Sequence, residues 1–223
     1  MKPIRTPRVK ICCIASVEEA AMAVEAGASA LGLVSQMPSG PGVIADELIA
    51  EIAATVPPAI GTFLLTSRQS VDEIVAQQRF CRTNTIQICD HLTQGTHREL
   101  KRALPGISLV QVVHVNGPES VEEAVAVAPH VDAILLDSGN RKGTVKELGG
   151  TGRKHDWPLS REIRERVNVP LFLAGGLTAE NLGQAIAEVG PFGLDVCSGV
   201  RTDGKLDAER LLRFLAAVRT AAC

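Results

Sequence analysis

The 223-residue chain contains no tyrosine, and its aromatic content is only 3%. Proteins that hold single-stranded nucleic acid stack bases on aromatic rings, so that class has almost no material here. Charge of either sign is also missing in excess. There are 23 Lys and Arg against 25 Asp and Glu, which leaves a formal net charge of −2 and no basic field for nucleic acid or an anionic lipid surface. Long hydrophobic runs are absent as well. The basic start, residues 1–8, leads into a short apolar run, residues 9–15, that contains Lys10 and is followed by Glu18 and Glu19. It is too short and too charged for a signal peptide, and nothing approaches the roughly 18 apolar residues of a spanning helix. A cytoplasmic protein with no nucleic-acid and no membrane partner is expected. The cysteines, Cys12, Cys13, Cys81, Cys89, Cys197 and Cys223, form no CxxC pair, and the adjacent pair lacks zinc-site spacing. Free thiols buried as small hydrophobes are expected. His91 and His97 have the wrong spacing for a helical metal pair, and His114, His130 and His155 are scattered, so no metal is expected.

What is present is ordinary globular material, 45% hydrophobic and 22% charged, enough for one core and a single domain over residues 1–223. Residues 1–8 are expected to form a flexible N-terminal extension. Apolar, β-branched runs recur at residues 9–14, 30–34, 59–65, 85–88, 108–115, 133–136, 169–174 and 193–196. Between them lie Ala-, Glu- and Leu-rich segments of helical period at residues 17–26, 45–54, 70–81, 98–103, 119–127, 159–166, 179–188 and 208–219. Ser16 and Thr178 stand where N-caps are wanted, and Gly27 where a helix should stop. Continuous apolar strands separated by helices argue a parallel sheet buried on both faces. Eight such units fit a compact (β/α)₈ barrel; an open doubly wound sheet repeats the same unit. The fourth unit is the weakest, because residues 90–97 are polar and mixed.

A barrel concentrates chemistry where its strands end. That rule singles out Cys12 and Cys13, then Cys89 and Asp90, His114, Asp137, Gly175-Gly176 and Ser198-Gly199. Asp137 emerges directly from the apolar run Ile134-Leu135-Leu136. Burial there would raise its pKa and make it a proton donor, unless it is only a loop anchor. Cys12 becomes a base if positive charge or a helix dipole stabilises its thiolate. On a strand, adjacent side chains face opposite ways, so only one of Cys12 and Cys13 is expected at the barrel mouth. Glycine pairs in the last two units let backbone amides approach an anion, and phosphate sites on barrels frequently use those two loops. Gly149-Gly150-Thr151-Gly152-Arg153-Lys154 has neither GxxxxGK[ST] nor GxGxxG spacing, so a nucleoside triphosphate is not expected.

Together these segments resemble the phosphoribosylanthranilate isomerase family of tryptophan biosynthesis, over residues 9–219. The resemblance rests on Val9-Lys10-Ile11-Cys12, on Leu135-Leu136-Asp137-Ser138, and on Gly149-Gly150-Thr151-Gly152 followed by Asp156-Trp157. It also rests on Gly175-Gly176-Leu177-Thr178 with Glu180-Asn181, and on Asp195-Val196-Cys197-Ser198-Gly199-Val200. It implies a single (β/α)₈ barrel of the ribulose-phosphate-binding type that performs an Amadori rearrangement. Cys12 is then the catalytic base and Asp137 the acid. Gly175, Gly176, Ser198 and Gly199 hold the substrate phosphate, and Lys10, His114, Gly150, Thr151, Gly152 and Asp195 contact the rest of the substrate. No cofactor is implied, the partner is a small phosphorylated substrate, and the protein is a monomer or a homodimer.

Several positions depart from the family pattern. Cys13 stands where glycine is usual. The stretch Pro38-Ser39-Gly40-Pro41-Gly42-Val43 lacks the arginine of a Ser-Pro-Arg loop thought to meet the anthranilate carboxylate. Gln87-Ile88-Cys89-Asp90 replaces Gln-Leu-His-Gly, His114 stands where arginine is common, and Arg201 where glutamate often follows. By loop position, Arg153, Lys154, His114 and Arg201 are the candidate replacement cations. Two further readings stay open: a related barrel isomerase for another phosphorylated sugar or arylamine, and a non-catalytic barrel that binds a phosphometabolite.

Overall fold

The computed structural model describes residues 6–139, 148 and 156–221. Eight parallel strands close into a barrel in chain order, with β1 (Arg8–Ile11) pairing both β2 (Ala30–Val34) and β8 (Gly193–Val196). Between these lie β3 (Gly61–Thr66), β4 (Thr85–Ile88), β5 (Ser108–His114), β6 (Ala133–Asp137) and β7 (Leu171–Leu173). The helices are α1 (Val17–Ala26), α2 (Asp46–Thr55), α3 (Val71–Cys81), α4 (His97–Ala103), α5 (Glu119–Val127), α6 (Trp157–Arg166), α7 (Leu182–Val189) and α8 (Ala208–Ala221). A two-stranded ribbon, β9 (Arg201–Thr202) with β10 (Lys205–Leu206), sits between β8 and α8. This is the expected closed barrel and not the open sheet.

Strand periodicity divides the core into two shells. Outward residues such as Ile11, Leu31, Leu33, Leu64, Ile86, Leu136 and Val196 pack under the helices. Inward residues such as Ala30, Val34, Phe63, Leu65, Val110, Val112, Leu135 and Phe172 fill the barrel. Near-continuous apolar strands follow directly from needing both faces.

Local chemistry sets the element ends. Ser16 Oγ accepts from Glu19 N at 3.2 Å and opens α1, and Gly27 closes it at φ 103°. Two differences from expectation bear on how the chain enters the barrel and the last helices. Arg8 is already in the barrel, paired with Gly193, so it is not part of a flexible extension; residues 1–5 lie outside the described residues. Thr178 does not cap α7, which begins at Leu182 with Asn181 at its N-cap. The Asn181 side chain accounts for the shift. Its Oδ1 accepts from Thr178 N at 3.0 Å, and its Nδ2 donates to Gly176 O at 2.8 Å, so residues 176–181 form a tied turn ahead of the helix.

The lower barrel is plugged by Phe172, which meets Phe63 and Phe192 edge-on at centroid distances of 5.8 and 5.5 Å. Gly193 lies against this ring, where a Cβ would stand 2.5 Å from its carbons. Phe172→Ala is therefore expected to lower the unfolding free energy by about 3–5 kcal/mol in a urea titration. A loss under about 1 kcal/mol would show that the ring does not pack as described.

Candidate active site

At the C-terminal ends of the strands a cavity is lined by Cys12, Gln87, Asp137, Asp195, Gly176 and Ser198, among others. Period-2 alternation puts these chemical groups there. Lys10 on β1 with Cys12 just past its end, Gln87 on β4 with Cys89 just past it, and Asp195 on β8 with Cys197 just past it are each two residues apart.

Asp137 ends β6 and is buried. Its Oδ1 accepts from Ser138 N at 2.7 Å. Burial pushes its carboxyl up to about 6, with the nearby Asp195 charge adding to the effect, so the protonated acid persists well above the ordinary carboxylate range. Beside it, Lys10 Nζ lies 2.9 Å from Asp195 Oδ2, and Lys10 and Asp195 are directly paired across the β1–β8 seam. Full burial acts to lower the Lys10 pKa, but the Asp195 carboxylate more than reverses this and keeps the ammonium charged. Lys10 is completely buried and acts from behind the cavity wall, while Asp195 is part of the wall. Asp195 Oδ1 and Gln87 Oε1 have no hydrogen-bond partner, and both residues face the cavity. Buried acceptors rarely stay unsatisfied, so each oxygen is available to accept a hydrogen bond from a bound ligand. Gln87 was not singled out from sequence. Its inward register, two residues before Cys89, was the available signal.

The two cysteines depart from expectation. β1 ends at Ile11, although Cys12 N still donates to Val196 O at 2.8 Å. Cys13 then takes φ 62°, a left-handed conformation uncommon for a residue with a Cβ. Alternation ends with the strand, so Cys12 and Cys13 line the same cavity. Cys13 Sγ also meets Cys197 Sγ at 2.9 Å, a contact between residues 184 apart in sequence that no local pattern signals.

The glycine loops follow β7 and β8, the two strands that precede the β1 seam round the barrel. Gly175 and Gly176 have φ of 84° and 62°, and with Ser198 they line the cavity. Gly199 joins Ser198 in an adjoining depression, and a Cβ on it would overlap Leu177 O, so the two loops pack backbone to backbone.

Not every candidate reaches the site. His114 is buried behind the wall, with Nε2 3.4 Å from Cys89 O, and it does not line the cavity. Gly150, Thr151 and Gly152, with Arg153 and Lys154, lie outside the described residues. Arg201 is committed elsewhere. It pairs with Glu19 at 3.1 Å, and its Nη2 donates to Cys12 O at 3.2 Å and Cys13 O at 2.5 Å. Glu19 in turn accepts from Ala15 N at 3.0 Å and Leu206 N at 2.9 Å. The guanidinium is thus a clamp behind the cysteines and not a replacement cation for substrate.

A family model described as N-(5'-phosphoribosyl)anthranilate (PRA) isomerase matches residues 9–217. The chain belongs to this family. The N-(5'-phosphoribosyl)anthranilate isomerase of Methanocella arvoryzae is 32% identical, with 95% of this chain and 98% of that protein covered. That of Halorubrum lacusprofundi is 35% identical, covering 94% and 95%. Among solved structures, the isomerase of Thermotoga maritima matches with a TM-score of 0.79 at 30% identity, covering 96% of this chain and 99% of that one. A phosphoribosylanthranilate isomerase in complex with reduced 1-(o-carboxyphenylamino)-1-deoxyribulose 5-phosphate matches with a TM-score of 0.77 at 29% identity, covering 96% and 99%. Among the described residues, no helix is long and apolar enough to cross a membrane.

The Arg201 clamp is testable within this family frame. Arg201→Met leaves the half-enclosed Glu19 carboxylate without its cation and the Cys12, Cys13 and Gly204 carbonyls without this donor, and is expected to lower the unfolding free energy by about 3–5 kcal/mol in urea. The double substitution Glu19→Leu with Arg201→Met should recover part of that loss. If the double variant is less stable than the single one by the full additive amount, the two side chains do not act as a pair.

Proposed function

We propose that this chain is a cytoplasmic isomerase, a monomer or homodimer, that converts N-(5-phosphoribosyl)anthranilate to 1-(2-carboxyphenylamino)-1-deoxyribulose 5-phosphate. The observation that carries the reading is the juxtaposition in one cavity of Cys12, a carboxyl held up to about 6 at Asp137, and two glycine-bearing loops. The solved relative that holds the reduced product supports the substrate class, and the dimeric relative from Thermotoga maritima supports the homodimer as one of the two states.

Asp137 donates its proton to the ribose ring oxygen as the C1–oxygen bond breaks, and the nitrogen lone pair forms a Schiff base at C1. Cys12, as thiolate, takes the proton from C2, and the electron pair left behind moves toward nitrogen to give the enol-amine, which tautomerises to the ketose. Backbone amides around Gly175, Gly176, Ser198 and Gly199 hold the phosphate, remote from the reacting carbons, and fix the sugar between acid and base. Asp195 and Gln87 receive sugar hydroxyls on their open oxygens. These steps use proton transfers between side chains and substrate only.

The test is turnover of N-(5-phosphoribosyl)anthranilate by purified protein across pH. The active form carries a protonated Asp137, so the pH profile of kcat/KM should contain a titration limb near about 6. Asp137→Asn should lose about 100- to 10,000-fold in kcat together with that limb, and Cys12→Ser should lose a comparable factor. An inert wild-type protein that still binds inorganic phosphate would favour the non-catalytic barrel.

The phosphate anchor makes a separate prediction. Gly176 has φ 62°, so Gly176→Val introduces a β-branched side chain where the backbone disfavours it and blocks the amides. KM should rise about tenfold or more, and inorganic phosphate should cease to compete. Unchanged KM would place the phosphate elsewhere.

A further inference from the structure

The thiol contact at the cavity mouth takes no part in the proton transfers. Cys13 follows β1 and Cys197 follows β8, and their Sγ atoms stand 2.9 Å apart, both in the cavity wall. A disulfide needs about 2.05 Å between sulfurs, so closing the pair takes less than 1 Å of movement. The surroundings divide the two roles of an oxidisable pair. Cys197 is half-buried, so a small oxidant in the cavity reaches it, whereas Cys13 is buried. Contact with Cys12 and Cys197, then burial, pushes the Cys13 thiol up, so its proton is retained. Contact with Cys13, against the opposing effect of burial, and the nearby Arg201 charge pull Cys197 down toward thiolate.

We propose that Cys13 and Cys197 are a site of oxidative cross-linking by peroxide, which staples the loop carrying Cys12 to the loop carrying Ser198. The Cys197 thiolate attacks one peroxide oxygen, the O–O bond breaks, and hydroxide leaves and takes a proton to become water. The resulting sulfenic acid is attacked by Cys13 sulfur; the S–O bond breaks, and the Cys13 proton goes to the departing hydroxide as a second water. Two thiols are oxidised by two electrons and one peroxide is reduced to two waters. The cross-link lies next to Cys12, whose carbonyl, like that of Cys13, is held by Arg201. Misplacement by about 1 Å at such a point can cost roughly 100-fold in rate.

The experiment treats the purified full chain with hydrogen peroxide, digests it without reductant and maps cysteine peptides by mass. The expected result is a peptide joining Cys13 to Cys197, two hydrogens lighter than its parts, appearing as kcat/KM falls about 100-fold in the cross-linked fraction. Both changes should reverse with dithiothreitol. In Cys197→Ala the cross-linked peptide should vanish. Cys13 and Cys197 remaining unlinked while Cys12 is oxidised, or Cys12 joined to Cys13 instead, would overturn the proposal. The wild-type peptide map decides this without a variant and without reference to which substrate is turned over, so it fails or stands separately from the isomerase reading.

Discussion

The seam between β1 and β8 is the constraint on which the site depends. A barrel closes only where its first and last strands find one register, and here Lys10 pairs with Asp195 and Ile11 with Val196. A slip of one residue would turn Lys10 toward the helices and Cys12 away from the cavity. Two cations hold the seam, each against a carboxylate. Lys10 meets Asp195 inside the barrel, and Arg201 meets Glu19 where β9 comes back over the start of α1. Buried ion pairs of this kind add little net stability, because desolvation offsets the attraction. Their effect here is on alignment, since a misregistered seam would strand a charge in an apolar interior.

The interior volume is matched to the same pair. Gly32 on β2 faces Lys10 and Cys12, and a Cβ there would stand 2.9 Å from Lys10 Nζ and 3.0 Å from Cys12 Sγ. Lys10 Nζ also lies 5.3 Å from the Phe63 ring centroid, so an aromatic face receives the charge from below. The lower barrel is apolar and filled, and the upper barrel is polar and open. The transition falls at Lys10. Asp137 is above that level, close enough to the apolar wall for burial to push its carboxyl up to about 6, and still part of the cavity lining.

The fold was legible because each element announces itself locally. Residues 30–34, 85–88 and 193–196 are short runs rich in apolar residues, and they became β2, β4 and β8 without adjustment. Residues 17–26 and 119–127 carry helical period with acidic first turns and became α1 and α5. Strand-end logic also carried Cys12, Asp137 and the glycine loops to the cavity wall, and the family resemblance carried Asp195 there. What failed was non-local. His114 is at a strand end, but its ring is drawn against Cys89 O on the neighbouring strand, and nothing near residue 114 reports that. Arg201 read as a free cation because its partner, Glu19, lies on the first helix. Cys13 read as facing away because the strand was expected to run through residue 14, whereas it stops at Ile11.

The last of these connects two departures from the family pattern that look independent in the sequence. Cys13 stands where glycine is usual, and the loop of residues 38–43 has no arginine. In space they touch. Cys13 Sγ lies 3.7 Å from Pro41 O, and a Cβ on Gly42 would overlap Cys13 Cβ. Gly42 at φ 76° and Gly40 at φ 108° let the loop fold down onto the cysteine. A side chain at position 13 therefore fills space beneath this loop, and the loop answers with two glycines and a proline that bring backbone, not a long cation, to the rim. The cavity rim beside Cys13 is in consequence built from Ser39, Gly40 and Pro41. The altered cysteine and the altered loop are one packing solution.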